Sequence, residues 1–114
     1  MQSYSGIAQK GEGRGRALGF PTANIPLRDK ELVGIYAARV KVRGKEYFAA
    51  VYANQARELL ETHILDFWGE LYGQEITIML EKKIREDARF ENENALKTAI
   101  AADVRAVRFF SLAN

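Results

Sequence analysis

A small, mainly β fold, an antiparallel barrel or sandwich followed by one helix, is the class this chain predicts. Three observations carry it. Apolar and polar residues alternate through several short runs up to residue 84, the pattern of strands with one buried face. Glycine-marked turns separate these runs closely enough to leave no crossover helices between them. From about residue 93 the period changes: Leu96, Ile100, Val104 and Val107 recur at three- and four-residue steps, one apolar stripe of an amphipathic helix.

Taken in order, residues 3–9 form a short apolar–polar segment leading into a glycine-rich loop. Residues 33–43 place Val33, Ile35 and Ala37 on one face and Tyr36, Ala38, Val40 and Val42 on the other. Arg43-Gly44-Lys45 mark a tight turn into a strand over 46–53, and the two strands are expected to pair as a hairpin. Further strands are read at 59–67 and 74–84, joined through Trp68-Gly69-Glu70 and Tyr72-Gly73. The helix is expected over about 93–109. Asn92 or Asn94 can cap its start, Glu93 suits its positive end, and Arg105 and Arg108 suit the other. Its stripe should cover the barrel. The 114 residues are read as a single domain, 1–114, without repeats or linkers.

Composition excludes several kinds of chemistry. The absence of cysteine rules out disulfides and thiolate nucleophiles and suits a reducing compartment. One histidine, His63, cannot build a multi-histidine metal site. The start lacks a hydrophobic signal core and no apolar run approaches the ~18 residues of a span, so a cytoplasmic protein with no membrane partner is expected. The net charge is only +2, and Lys82, Lys83 and Arg85 are interleaved with Glu81, Glu86 and Asp87. That reads as a solvated face, so no nucleic-acid partner is expected. No extra apolar face is evident, and a monomer is the expected state.

The chemistry concentrates between Gly11 and Asn24, in the string GEGRGRALGFPTAN. Four of the nine glycines lie between Gly11 and Gly19, with arginines among them. Backbone N–H groups in such a run can cradle an anion, and arginine adds charge-assisted bonds to phosphate. Thr22 and Asn24 are two apart and share a face of an extended segment, so their neutral oxygens can meet one hard cation. A nucleotide phosphate with its magnesium fits this set. The run matches neither GxxxxGK[ST] nor a GxGxxG fingerprint, and by itself it leaves open a plain surface loop.

The ordered motifs resemble those of the riboflavin kinases, including the C-terminal kinase domain of bifunctional FAD synthetases. The matching stretches are Gly6-Ile7-Ala8 with Gly11, and Gly15-Arg16-Ala17-Leu18-Gly19-Phe20-Pro21-Thr22-Ala23-Asn24-Ile25. Further on come Gly34-Ile35-Tyr36-Ala37, Glu61-Thr62-His63-Ile64-Leu65-Asp66-Phe67, Leu71-Tyr72-Gly73, and Ile84-Arg85-Glu86-Asp87 with Phe90. The resemblance implies a six-stranded, Greek-key-like antiparallel barrel with a C-terminal helix. It also implies transfer of the γ-phosphoryl group of ATP to the 5′-hydroxyl of riboflavin, giving FMN and ADP, with Mg²⁺ (or Mn²⁺ or Zn²⁺).

By that resemblance Thr22 and Asn24 hold metal and phosphate, and Glu61 is the base that takes the hydroxyl proton. Gly11, Gly15, Arg16, Phe20 and Pro21 belong to the ligand-binding loop, and Arg85 and Phe90 lie in the flavin region. Phe20, Tyr36, Tyr52, Phe67, Trp68 and Phe90 are candidates to stack on the flavin ring. His63 is expected to be structural, and Asp66 and Asp87 to serve turns. In the strand alternation Glu61 and His63 share a face opposite Leu60, Thr62 and Ile64.

One segment departs from the family pattern. Where relatives carry NIGxxPTF, this chain reads Ala50-Val51-Tyr52-Ala53-Asn54-Gln55-Ala56-Arg57-Glu58, shortened and without the Pro-Thr pair. With one histidine there is also no HxGH-type adenylylation motif, so these residues are expected to stop at FMN.

Overall fold

Alternation decides the faces of every long strand. In a computed structural model of the chain, which describes residues 2–11 and 14–114 (for 14 and 15 the backbone alone), Leu60, Thr62 and Ile64 are buried, while Leu59, Glu61 and His63 on the opposite face are half-buried. The chain runs β1 (Gln2–Ile7), β2 (Gln9–Lys10), α1 (Arg14–Ala17), β3 (Ala23–Pro26), β4 (Gly34–Val42), β5 (Lys45–Asn54), β6 (Leu59–Ile64), β7 (Glu75–Arg85) and α2 (Glu93–Leu112). The strands form one antiparallel sheet in the order β1-β7-β4-β5-β6-β3-β2. Since β4, β5 and β6 follow one another and β3 lies beside β6, the central four make a Greek key.

The first ten residues curl the two edges toward each other. β1 pairs with β7, Gln2 opposite Leu80, and β2 pairs with β3, Gln9 opposite Asn24. Between them Ala8 is buried, donates its N–H to the Gln74 carbonyl at 2.8 Å and accepts from the Gly73 N–H at 2.8 Å. Gly6 of β1 lies against Ile25 and Pro26 of β3. Seven strands are therefore assigned, against the six the resemblance implies and the five read from alternation, because the segment read as one strand over 3–9 bends at Ala8 and pairs on two sides and because residues 23–26 form a further strand. Inside the curl, Ile25, Val40, Val51, Leu60, Ile76 and Ile78 are fully buried.

Several boundaries differ from the sequence reading, each for a local reason. The β4–β5 turn closes on Arg43 and Gly44, with φ of 51° and 80°, the doubly left-handed geometry of a two-residue hairpin. β6 stops at Ile64 rather than 67, because Asp66 turns the chain with φ 57°. Residues 23–26, to which the sequence reading assigns no strand, form β3 against β6. Asn92, not Asn94, caps α2, its side chain accepting from the Ala95 N–H at 2.8 Å. The helix runs on to Leu112, so Arg105 and Arg108 do not reach its last turn; Arg108 instead grips Asp66 through two 3.0 Å bonds. Among the described residues no helix is long and apolar enough to cross a membrane.

The helix docks where the outer face of the sheet is small. Ala37 and Ala50 are opposite each other on β4 and β5, and beside them Val104, Val107 and Phe110 of α2 pack with Phe48, Leu65 and Ile84. An ion pair locks the other half of the contact: the Arg85 guanidinium meets Asp103 bidentately, at 2.7 and 2.8 Å, with Asp103 buried. Removing one partner strands the other charge in a poorly solvated place. Asp103→Ala is therefore expected to cost about 3 kcal/mol of stability, the low end for a buried pair, because Arg85 keeps 28% side-chain exposure. A shift of the urea midpoint measures it, and an unchanged midpoint would remove the pair from the stability of the helix contact.

Candidate active site

The centre of β6 carries the site. Glu61 stands opposite Asn24 of β3 on one side and opposite Tyr52 of β5 on the other. Its Oε2 accepts a 2.5 Å hydrogen bond from Asn54 Nδ2. Tyr52 donates its phenol to Asp87 Oδ2 at 2.9 Å. Burial foremost, then that bond and the charges of Asp87 and Glu61, push the Tyr52 phenol up to about 12, against an opposing pull from Arg85. Tyr52 therefore stays a protonated donor at neutral pH.

On the β3 side Asn24 is almost fully buried, and its Oδ1 has no hydrogen-bond partner among the described residues. An amide oxygen left so is costly unless water or an ion completes it. Gly11 lies close to the nitrogen of the same amide: a Cβ there would lie 2.5 Å from Asn24 Nδ2 and 3.4 Å from Thr22 Oγ1, so glycine is what lets the loop approach both side chains. Arg16, in the single turn of α1, donates to the Tyr72 hydroxyl at 3.0 Å. Arg16, Pro21 and Thr22 border a cavity of about 270 Å³ together with Thr62, Phe67 and Tyr72, while Asn24 and Gly11 lie outside its lining. Trp68, 84% exposed, stands at its rim.

On the β5 side lies a second cavity, of about 390 Å³, between the end of β7 and the start of α2. Ile35, Tyr52, Phe90, Leu96 and Ile100 supply its apolar walls, and Arg85, Asp87 and Asp103 its charges. The Arg85 guanidinium sits 5.6 Å from the Phe90 ring centre, within cation–π range. Leu96 and Ile100, read as barrel-covering residues, line this cavity instead.

The candidates named from sequence thus fall into two groups joined by Glu61. Gly11, Arg16, Pro21, Thr22 and Asn24 gather on one side, and Arg85 and Phe90 on the other. Gly15 lies in a helical turn rather than an open loop, while Glu12 and Gly13 of the same glycine run fall outside the described residues. The six aromatics do not converge. Phe20 meets His63 edge-on at 5.5 Å, Tyr36 donates to the Val33 carbonyl at 2.8 Å, Phe67 and Trp68 face the first cavity, and Tyr52 and Phe90 face the second. His63 directs Nδ1 at the Pro21 carbonyl, 2.8 Å away. A carbonyl only accepts, so Nδ1 carries the hydrogen, and the ring braces the Pro21 segment as a structural histidine would. Asp66 sits in a turn, whereas Asp87 lies in the irregular segment beyond β7, accepting from the Ala88 N–H at 2.7 Å.

Sequence reasoning missed Asn54, Asp103 and Tyr72. For Asn54 the available signal was parity: it lies two residues beyond Tyr52, on the strand that faces Glu61. Among the described residues no three His, Cys, Asp or Glu side chains converge on a metal position, so a cation here would depend on neutral oxygens and on oxygens its ligand brings.

Fold and site define a small antiparallel barrel with two cavities, one lined by Thr22 of the segment entering β3 and one by Tyr52 of β5, and with Glu61 paired across the sheet between Asn24 and Tyr52. A family model described as Flavokinase: Riboflavin kinase matches residues 2–110. The bifunctional riboflavin kinase/FMN adenylyltransferase of Pseudomonas fluorescens is 37% identical over 113 residues, covering 91% of this chain and 36% of its own length. The enzyme of the same name from Escherichia coli (strain K12) is 40% identical over 121 residues, covering 96% and 38%. Among solved structures, riboflavin kinase from Trypanosoma brucei superposes with a TM-score of 0.64 at 28% identity, over 95% of this chain and 78% of that one. A protein described as a macrolide-efflux protein from Streptococcus pneumoniae gives 0.79 at 26% identity, over 93% and 38%. The chain belongs to the riboflavin kinase family. It spans a little over a third of the length of the two bifunctional relatives.

Proposed function

We propose that this barrel is a riboflavin kinase, moving the γ-phosphoryl group of ATP to the 5′-hydroxyl of riboflavin to give FMN and ADP. The observation that carries the reading is the position of Glu61. Across the sheet it lies between the Thr22–Asn24 segment beside one cavity and Tyr52 in the wall of the other. A transfer between two bound substrates needs such an arrangement, with positioning and charge neutralisation doing most of the catalysis.

In this reading ATP enters the first cavity, its phosphates facing Arg16 and the Gly11 backbone. Riboflavin enters the second, its ring against Phe90 and the apolar start of α2 and its ribityl chain directed toward Glu61. Thr22 Oγ1 and Asn24 Oδ1 would hold the cation, a role supported by the buried, unpartnered Asn24 oxygen. When bound, Mg²⁺ (or Mn²⁺ or Zn²⁺) neutralises charge on the phosphate oxygens. Glu61 accepts the hydroxyl proton as the new O–P bond forms, and the bond from the γ-phosphorus to the ADP oxygen breaks. The residues form one domain acting as a monomer in the cytoplasm, with neither nucleic acid nor membrane as partner.

Incubation of the purified chain with riboflavin, ATP and Mg²⁺, followed by chromatography of the flavins, should yield an FMN peak. The turn over 55–58, shorter than the family segment, favours a second reading: a flavin- or nucleotide-binding module without turnover. Quenched riboflavin fluorescence with no FMN would select that module. Neither binding nor product would overturn both readings.

A further inference from the structure

We infer that Asn54 is the positioning residue for Glu61, a role that rests on the phosphotransferase reading above. Asn54 ends β5, opposite Leu59, which puts it diagonal to Glu61 across the β5–β6 pair. Its amide has one orientation. Oδ1 accepts the Arg57 N–H at 3.2 Å, so Nδ2 is the atom that reaches Glu61 Oε2, at 2.5 Å. An amide N–H can only donate and a carboxylate only accept, so the pairing is complementary without any shared proton. Asn54 is 9% exposed, which limits competition from water for this bond.

The backbone that carries Asn54 is fixed as well. The next residue, Gln55, donates Nε2 to the carbonyls of Asp29 and Leu32, at 2.7 and 2.6 Å, pinning the short turn to the β3–β4 connection. Tyr52, the other neighbour of Glu61 on β5, spends its hydroxyl on Asp87. Asn54 is thus the hydrogen-bond partner of Glu61 among the described residues. Holding Oε2 removes rotamer freedom from a long side chain and leaves Oε1 to receive a proton from a substrate hydroxyl. The hairpin that shortens the family segment ends in the residue that aims the base.

The test is a double-mutant cycle on the full chain. Asn54→Ala, Glu61→Gln and the double variant are compared for kcat, for KM of riboflavin and ATP, and for the unfolding midpoint. A residue acting through Glu61 loses its effect once Glu61 is neutralised. Asn54→Ala is expected to lower kcat by roughly 10–100-fold with both KM values within about twofold, and to cause no further loss beside Glu61→Gln. Equal losses in both backgrounds, or KM values rising in step with the fall in kcat, would overturn the inference.

Asn54→Asp covers the case in which the alanine variant fails to fold. It keeps an oxygen for the Arg57 N–H while replacing the donor to Glu61, so kcat should fall as far or further; full activity would show that Asn54 serves only the turn. Absence of FMN from the unmutated chain would overturn the phosphotransferase reading and this inference with it. An additive cycle on an active enzyme would overturn the inference alone.

Discussion

Glu61→Gln is expected to lower kcat for FMN formation by ~10²–10⁴-fold, the usual scale for a positioned general base. The substitution is nearly isosteric, and the Gln carbonyl can still accept from Asn54 Nδ2, so the hydrogen bond that fixes the side chain survives. What is lost, in the proposed reaction, is the site that would receive the proton as a primary alcohol attacks phosphorus. KM for riboflavin and for ATP should stay within about threefold, because in the proposed arrangement Glu61 contributes chiefly to the transition state. Steady-state assays with chromatographic detection of FMN separate these quantities. Turnover unchanged by the substitution would take Glu61 out of the chemistry.

Asn24→Leu should be nearly as damaging, through a different variable. The Mg²⁺ concentration for half-maximal activity is expected to rise by roughly 10–100-fold, on the scale by which altered ligand shells weaken metal sites. Asn24 is 2% exposed and its Oδ1 is unpartnered. Replacing it with a similar-sized apolar group removes a desolvated oxygen and should leave the unfolding midpoint no lower. A Mg²⁺ titration of activity beside a denaturation curve tests both halves. A lowered midpoint with an unchanged Mg²⁺ requirement would make Asn24 a structural residue of the β3–β6 pair.

Period-two alternation made the long strands readable, even in β4, which α2 buries on its second face as well: β4, β5, β6 and β7 all begin and end within three residues of their expected limits. The pairing partners were less visible. Ala23–Pro26 is too short to show a period, and its assignment as β3 comes from docking against Leu59–Thr62, far along the chain. The extent of α2 was underestimated because Phe109 and Leu112 are exposed and continue no stripe. The string from Gly11 to Asn24 drew attention by composition alone, whereas Glu61 stood out only through the family resemblance, since a carboxylate on one face of an alternating strand otherwise reads as solvent-facing. Asp103 gave no such signal, since an Asp on a helix is ordinary until its partner is known, and Asn54 offered only its parity with Tyr52.

The bend at Ala8 also bears on the time course of folding. Gln2 is paired with Leu80 and Gln9 with Asn24, so the sheet edges cannot meet until residues from distant parts of the chain have been brought together, a loss of chain entropy repaid only at closure. Such non-local pairing slows folding toward the millisecond-to-second range. Gly11 and Asn24 face each other just beyond this junction. The approach of Gly11 to the Asn24 side chain is thus tied to the closing of the sheet edges, and an incompletely folded chain would present hairpins and a helix without this covered amide.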